Sequence, residues 1–268
     1  MSTQDKSFFR RIDIRFPWLK LVAVIVVGVL AILDLLDLTI STASDPINRI
    51  KIAPMAHHVR ATQRIFKDKK LVALTFDDGP SSATTPRLLD ILYEKDVPAT
   101  FFMLGSKARN NPDIVRRIEK DGHIAASHTM YHQNLVRISS GAIKDDISEA
   151  KSVFKDILGH EPTLTRPPYG NINDAVRENV GTPMILWSVD PLDWKSQNVD
   201  EIMAVTREQI HDGAIILMHD IYDTSVDAVP IIIDELRKDG YEFVTVDELV
   251  KFRGVTLENG TAYYNFRP

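Results

Sequence analysis

From Leu71 onward the chain alternates short apolar runs with stretches of helical periodicity, and this alternation limits the folds open to it more than any other feature. LVALTF (71–76) reads as a buried strand. Thr85 and Pro86 then look like the N-cap and first residue of a helix through Arg87, Leu88, Leu89, Asp90, Ile91 and Leu92. ATFFML (99–104) is the next expected strand, 112–121 a helix stopped by Gly122, and 124–127 a short strand. Ile143, Ile147, Ala150, Val153, Phe154, Ile157 and Leu158 mark one face of a long helix ending at Gly159. Strands near 163–166, 184–189, 214–218 and 242–245 follow, with helices near 199–211 and 226–239. The pattern specifies an α/β class with parallel strands. About seven strand candidates favour a deformed (β/α) barrel, and a doubly wound open sheet is the alternative that periodicity leaves standing.

Ahead of this domain the sequence changes character. Leu21 to Leu33 is uninterrupted apolar (LVAVIVVGVLAIL), preceded by Lys6, Arg10, Arg11, Arg15 and Lys20 against Asp5 and Asp13. A basic flank, an apolar run and Trp18 at its edge suit one transmembrane signal-anchor over 16–40, with a cytoplasmic N-terminus at 1–15. The run reaches the roughly 20 residues of a span only by including Lys20 and Asp34 near the interfaces. A cleaved signal peptide with Ser41-Thr42-Ala43 at its cleavage site is the rival reading. A buried core helix would leave the basic flank unexplained. Residues 41–69, with Pro46, Pro54 and the pair His57-His58, read as a linker to a domain over 70–268. The expected location is the cell membrane, single-pass, with the domain outside the cytoplasm.

Within that domain one regularity stands out. Asp77-Asp78, His128, Arg166, Asp190 with Asp193, and His219 each fall at or just after the end of a different expected strand. In a (β/α) barrel those ends converge on one face, where active sites sit. Two adjacent carboxylates and two imidazoles four residues apart, His128 and His132, then supply a ligand set for a zinc-like ion plus a spare carboxylate to act as a base on water. Each signal alone is weak: histidines at that spacing are common on surfaces, and Asp-Asp-Gly-Pro after a strand is usually a turn. The chain has no cysteine, so any metal must be held by His, Asp or Glu. A net charge of −5 argues against a nucleic-acid partner.

The stretches TFDDG (75–79), HTMYH (128–132), RPPYG (166–170), DPLDW (190–194) and IILMH (215–219) resemble, in order and spacing, the five motifs of the polysaccharide deacetylases. These are the NodB-homology enzymes of carbohydrate esterase family 4, and the resemblance covers about residues 70 to 250. Trp187-Ser188-Val189-Asp190 with Asp193-Trp194-Lys195 is most similar to the branch acting on peptidoglycan N-acetylglucosamine. The resemblance implies that Asp78, His128 and His132 hold a divalent metal, Zn2+ or another transition ion such as Co2+. It implies Asp77 as base, the Tyr169 backbone N–H in the oxyanion site and His219 as acid. Arg166 is expected to pin Asp77 bidentately and keep it ionised, and Asp193 to hold His219 protonated. Trp194 and Leu217 are expected to wall the pocket. Met130 departs from the aromatic often found there, which would alter the pocket wall beside His132; Pro191 in the fourth motif looks tolerable. The tail 255–268, with Tyr263, Tyr264 and Phe266, reads as packing on the barrel rather than as a sugar platform.

The function so implied is a membrane-anchored, metal-dependent N-deacetylase of cell-wall glycan. Its alternatives are a deacetylase of poly-N-acetylglucosamine, chitin oligomers or acetylxylan, and a non-catalytic glycan-binding module. A degenerate module should have lost a ligand or the base, and all of these are present.

Overall fold

The computed structural model describes residues 69–268. The expected segments 1–15 and 16–40, and all but the last residue of the linker, lie outside the described residues. Among the described residues no helix is long and apolar enough to cross a membrane.

The chain runs β1 (Lys70–Asp77), α1 (Thr85–Lys95), β2 (Thr100–Met103), α2 (Gly105–Asn110), α3 (Pro112–Lys120), β3 (Ile124–Ser127) and α4 (Ser140–Leu158). It continues through α5 (Asp174–Val180), β4 (Met184–Ile185), α6 (Asp193–Ser196), α7 (Val199–Gln209) and β5 (Ala214–His219). Last come α8 (Asp223–Lys238), β6 (Tyr241–Phe243), α9 (Val246–Arg253) and β7 (Ala262–Tyr263). The paired strands are parallel throughout, in the order β3-β2-β1-β5. β6 pairs with the first half of β1 (Val72 to Phe243), and β2 pairs with its second half (Thr75 to Thr100). Single pairings of Ser127 with Thr165, Thr165 with Met184, and Val189 with Ile216 carry the circuit round from β3 to β5. The result is a closed, deformed ring and not an open sheet.

Two expected strands are much shorter than their apolar runs suggest. The 163–166 strand contributes only Thr165, because Pro162, Pro167 and Pro168 have no N–H to extend a ladder. The 184–189 strand ends at Ile185 and rejoins the ring only at Val189, where the N–H groups of Ser188 and Val189 both donate to the Ile215 carbonyl. The first helix also starts one residue earlier than expected. Thr84 is its cap and Thr85 its first residue, and neither hydroxyl caps the helix: Thr84 Oγ1 donates to the Asp220 carbonyl and Thr85 Oγ1 to the Asp220 carboxyl.

Alternation along β1 sorts its side chains between two cores. Val72, Leu74 and Phe76 pack outward with Leu88, Leu89 and Phe101 under the helices. Leu71 and Ala73 point inside the ring, to meet Phe102, Ala126 and Ile215. Val246, Leu249 and Val250 of α9 join that inner cluster with Phe266 of the C-terminal segment, filling the end of the ring where the strands begin. β7 pairs with β4 and Asn265 bridges Ala214, so the tail packs on the barrel as expected. The inner face of β1 therefore reads Leu71, Ala73, Thr75, Asp77: apolar at one end, polar at the other.

Candidate active site

Register places the groups expected to act as base and acid together. Asp77 pairs with His219 across β1 and β5, the last rung of that ladder. Residues in register on parallel strands share a face, so both side chains enter the polar end of the ring. They open into a cavity of about 360 Å³ whose walls also include Asp78, His128, His132, Tyr169, Trp187, Asp190, Trp194, Leu217 and Tyr222. Every sequence-expected site residue lines this cavity except Arg166 and Asp193, which lie directly beneath it.

Arg166 is fully buried and spends its donors on one web. One terminal nitrogen reaches Asp77 Oδ1 at 2.6 Å and Thr75 Oγ1 at 2.9 Å; Nε and the other terminal nitrogen donate to the carbonyls of Ile185 (2.9 Å) and Leu186 (3.0 Å). The guanidinium lies 4.0 Å from the centre of the Phe102 ring. The grip on Asp77 is thus a single contact, not the bidentate fork expected, because the remaining donors close the gap in the ring left by the broken 184–189 strand. Burial pushes the Asp77 carboxyl up from its ordinary value, and the Arg166 and His219 charges pull it back only in part. A carboxylate so raised is a better base than a free one.

The ligand set gathers on the other side of Asp77. His128 Nδ1 lies 2.7 Å from the Arg166 carbonyl, which can only accept, so Nδ1 carries the proton and the Nε2 lone pair faces Asp78. Burial lowers the His128 pKa to about 3, keeping the imidazole neutral as a ligand must be. Asp78 Oδ1 sits 3.5 Å from His128 Nε2 and 3.3 Å from His132 Nε2. Tetrahedral ligands about 2.0–2.1 Å from one ion stand roughly 3.3–3.4 Å apart, so these separations fit. Asp78 Oδ1 is buried with no hydrogen-bond partner, and the three donors lie within 4.8 Å of one another. Donor chemistry, spacing and an unpartnered oxygen all suit a divalent cation. Asp78 and His132 reach this geometry through left-handed backbone, φ 71° and 60°.

On the acid side, Asp193 is fully buried at the start of α6 and uses both oxygens. Oδ1 accepts from His219 Nδ1 at 2.8 Å; Oδ2 accepts from the His219 backbone N–H at 2.8 Å and from Ser225 Oγ at 2.6 Å. Burial is the largest influence on His219 and opposes its charge. The Asp193 hydrogen bond and the charges of Asp193, Asp77 and Asp78 together overcome it, raising the pKa to about 9. Tyr169 stands on the rim at φ 62° with its ring exposed and 4.8 Å from that of His132. Trp194 is half exposed and Leu217 buried, both on the wall, as expected. Met130 is not on that wall: it is fully buried in the outer core, so the departure from an aromatic does not reshape the pocket.

Sequence reasoning missed Tyr222, Ser225 and Asp220. Asp220 follows His219, is fully buried, and is pushed up to about 7 by that burial. Its carboxyl accepts from Thr85 Oγ1 and occupies the space a Cβ on Gly79 would need, 2.2 Å away, so only glycine fits after Asp78. Its position beside His219 in a known motif was the available signal.

Comparisons with known proteins agree with this geometry. A family model described as polysaccharide deacetylase matches residues 65–182. The peptidoglycan-N-acetylglucosamine deacetylase PgdA of Listeria monocytogenes is 42% identical over 199 residues, covering 74% of this chain and 42% of that protein. The peptidoglycan-N-acetylmuramic acid deacetylase PdaC of Bacillus subtilis is 40% identical over 205 residues, 75% of this chain and 44% of that one. The chain thus spans less than half the length of these two curated relatives. The solved structure of PdaC superposes with a TM-score of 0.68 at 42% identity, over 70% of this chain and 93% of that one. A family 4 acetyl xylan esterase from Clostridium thermocellum, solved with a cobalt ion, gives 0.70 at 32% identity over 73% and 98%. With this likeness extending over nearly the whole of both solved domains, the chain belongs to the polysaccharide deacetylase family.

Proposed function

We propose that the chain is a metal-dependent hydrolase that removes N-acetyl groups from N-acetylglucosamine of peptidoglycan. The observation that carries this reading is the meeting, in one cavity, of a buried carboxylate base, a carboxylate–histidine–histidine ligand set and a histidine acid backed by its own carboxylate.

Asp78, His128 and His132 would hold the ion, with zinc the proposed occupant. When bound there, a divalent cation supplies Lewis acidity, which acidifies water and polarises an acyl oxygen. Asp77 takes a proton from the water that adds to the acetamide carbon. Arg166 holds that carboxylate in place, and its charge steadies the ionised form from which the cycle starts. The Tyr169 N–H is assigned to the oxygen of the tetrahedral adduct, where a well-placed donor is worth about 3–4 kcal/mol. His219, charged at neutral pH, protonates the sugar nitrogen as its bond to carbon breaks; an unprotonated amine is a poor leaving group. Acetate and a free amine result. Trp194 and Leu217 close the site around the acyl methyl.

The split between base and acid supports amide cleavage, because an ester needs less help from an acid at its leaving oxygen. Likeness to PdaC favours a second reading, in which N-acetylmuramic acid carries the acyl group removed. Acetate and free-amine release from purified peptidoglycan, chitin oligomers and acetylated xylan, with and without chelator, tests both readings. The proposal requires chelator-sensitive release from peptidoglycan, with the new amine on the glucosamine. Release confined to xylan, or indifferent to chelation, overturns it. The location proposed is the outer face of the cell membrane, held by 16–40; fractionation of cells producing the tagged chain tests that separately.

A further inference from the structure

The two histidines of the ligand set are supported very differently. His128 stands directly on the end of β3, its backbone N–H bonded to the Met103 carbonyl at 2.8 Å and its ring to the Arg166 carbonyl. His132 has no strand beneath it. It follows a loop in which Thr129 (φ 71°) and His132 itself (φ 60°) are left-handed, a conformation side-chain-bearing residues do not hold unaided.

What imposes that loop comes from two neighbouring helices. At α2 the N–H groups of Gly105 and Ser106 donate to the carbonyls of Thr129 (2.9 Å) and Met130 (3.1 Å). From α4, Asp146 Oδ1 accepts the Met130 N–H at 2.7 Å. Glu149 accepts the Tyr131 hydroxyl on both oxygens, at 3.0 and 3.1 Å, and is itself held by Arg109 at 2.8 Å. Asp146 and Glu149 are three apart, so they leave α4 on one face and grip consecutive residues. α4 is a firm base for this grip, capped by the Ser139 side chain and stopped by Gly159 in the left-handed region.

Asp146 is 5% exposed and its Oδ2 has no hydrogen-bond partner. A carboxylate buried half-satisfied is a poor device for stability alone, since an apolar residue of similar size would serve better. Its use is as a strong, charge-assisted acceptor for a backbone N–H that must point one way. We infer that Asp146, with Glu149 acting through Tyr131, is the positioning residue for His132: α4 holds the 129–132 loop in the shape that aims this imidazole at the shared ion. The inference rests on the metal site proposed above.

Cobalt(II) titration of the metal-free protein, followed by calorimetry and by the visible absorption of the bound ion, tests it. Wild type is compared with Asp146→Ala, Asp146→Asn and Tyr131→Phe, and the metal-free forms are melted in parallel. Asp146→Ala is expected to bind cobalt about 10–100-fold more weakly, with an altered spectrum. Asp146→Asn keeps an acceptor oxygen and should recover most of the affinity. Tyr131→Phe should lose about two- to tenfold. A merely structural role would lower the melting temperature and leave the affinity and spectrum of the folded protein alone. Unchanged cobalt binding by folded Asp146→Ala overturns the inference; should that variant not fold, unchanged binding by Tyr131→Phe does so. Wild type that binds no cobalt overturns the metal site and this inference together.

Discussion

The two sides of the proposed catalytic cavity are built to different plans. On the acid side Asp193 and His219 satisfy each other, with Ser225 completing the carboxylate, and nothing outside the chain is called for. On the base side Asp77, Asp78, His128 and His132 crowd within a few ångströms, and Asp78 Oδ1 has no partner. The difference teaches which half is self-sufficient. The proposed acid is prepared by the fold alone; the proposed base and ligands are a set of like-charged and neutral groups whose arrangement makes sense around a cation. Arg166 serves as the mortar of that half, bonded at once to the base, to the broken strand and to Thr75.

Substitutions on the two sides should therefore fail in different ways. The largest effect is expected from Asp77→Asn, which keeps the shape but removes the proton acceptor: kcat for acetate release falls about 10²–10⁴-fold while the fold is retained. A smaller drop would mean that another group accepts the proton. Arg166→Met should cost stability first. Removing one member of a buried pair leaves the other charge uncompensated, worth about 3–5 kcal/mol in a denaturant titration. An Arg166→Met protein as stable as wild type would contradict the role of Arg166 as the tie across the ring.

Asp193→Asn should leave the fold largely intact and act through protonation. In the wild type His219 is charged at neutral pH and loses its proton as pH rises through about 9. Without the Asp193 charge, burial dominates and the pKa falls, so the alkaline limb of the rate profile moves toward acid and kcat at pH 7 drops about tenfold. Stability has the same sign. A raised native pKa stabilises the fold fully below the ordinary value of 6.5 and loses that contribution as pH climbs through about 9. Asp193→Asn should flatten that slope, as read by denaturation at several pH values. A cation at Asp78 offsets part of the pull on His219, so in the wild type the limb should lie lower with metal than the metal-free histidine titrates by NMR. The smallest effect belongs to Ser225→Ala, which removes one of three donors to Asp193. It should cost about 1 kcal/mol of stability and shift the limb only slightly.

Much of this was legible because strand ends leave a local mark. Asp77, His128 and His219 each close an apolar run, and a barrel brings such ends together whatever lies between them. What the residues could not disclose was carried by long-range contacts. Thr165 looked like part of a strand, yet proline on both sides reduces it to one pairing; Arg166 looked like a fork for one carboxylate, yet it serves two strands and a threonine. Ser225 and Asp146 sit in ordinary helical patterns, and their partners, Asp193 and the loop at Met130, become apparent only once the helices are packed. The membrane segment expected over 16–40 falls outside the described residues and stands as a proposal.

The pairing of Asp77 with His219 on the last rung of the β1–β5 ladder sets the terms on which this chemistry can change over time. Slipping either strand by one residue would turn that strand's own group out of the cavity and leave the other without its partner. Insertions and deletions are therefore tolerable in the connections between strands and ruinous inside these two. The proposed base and acid therefore depend on one ladder, although 142 positions separate them in the sequence. Anyone grafting the reaction onto another barrel must transplant the two strands as a unit, in register, before adjusting any loop.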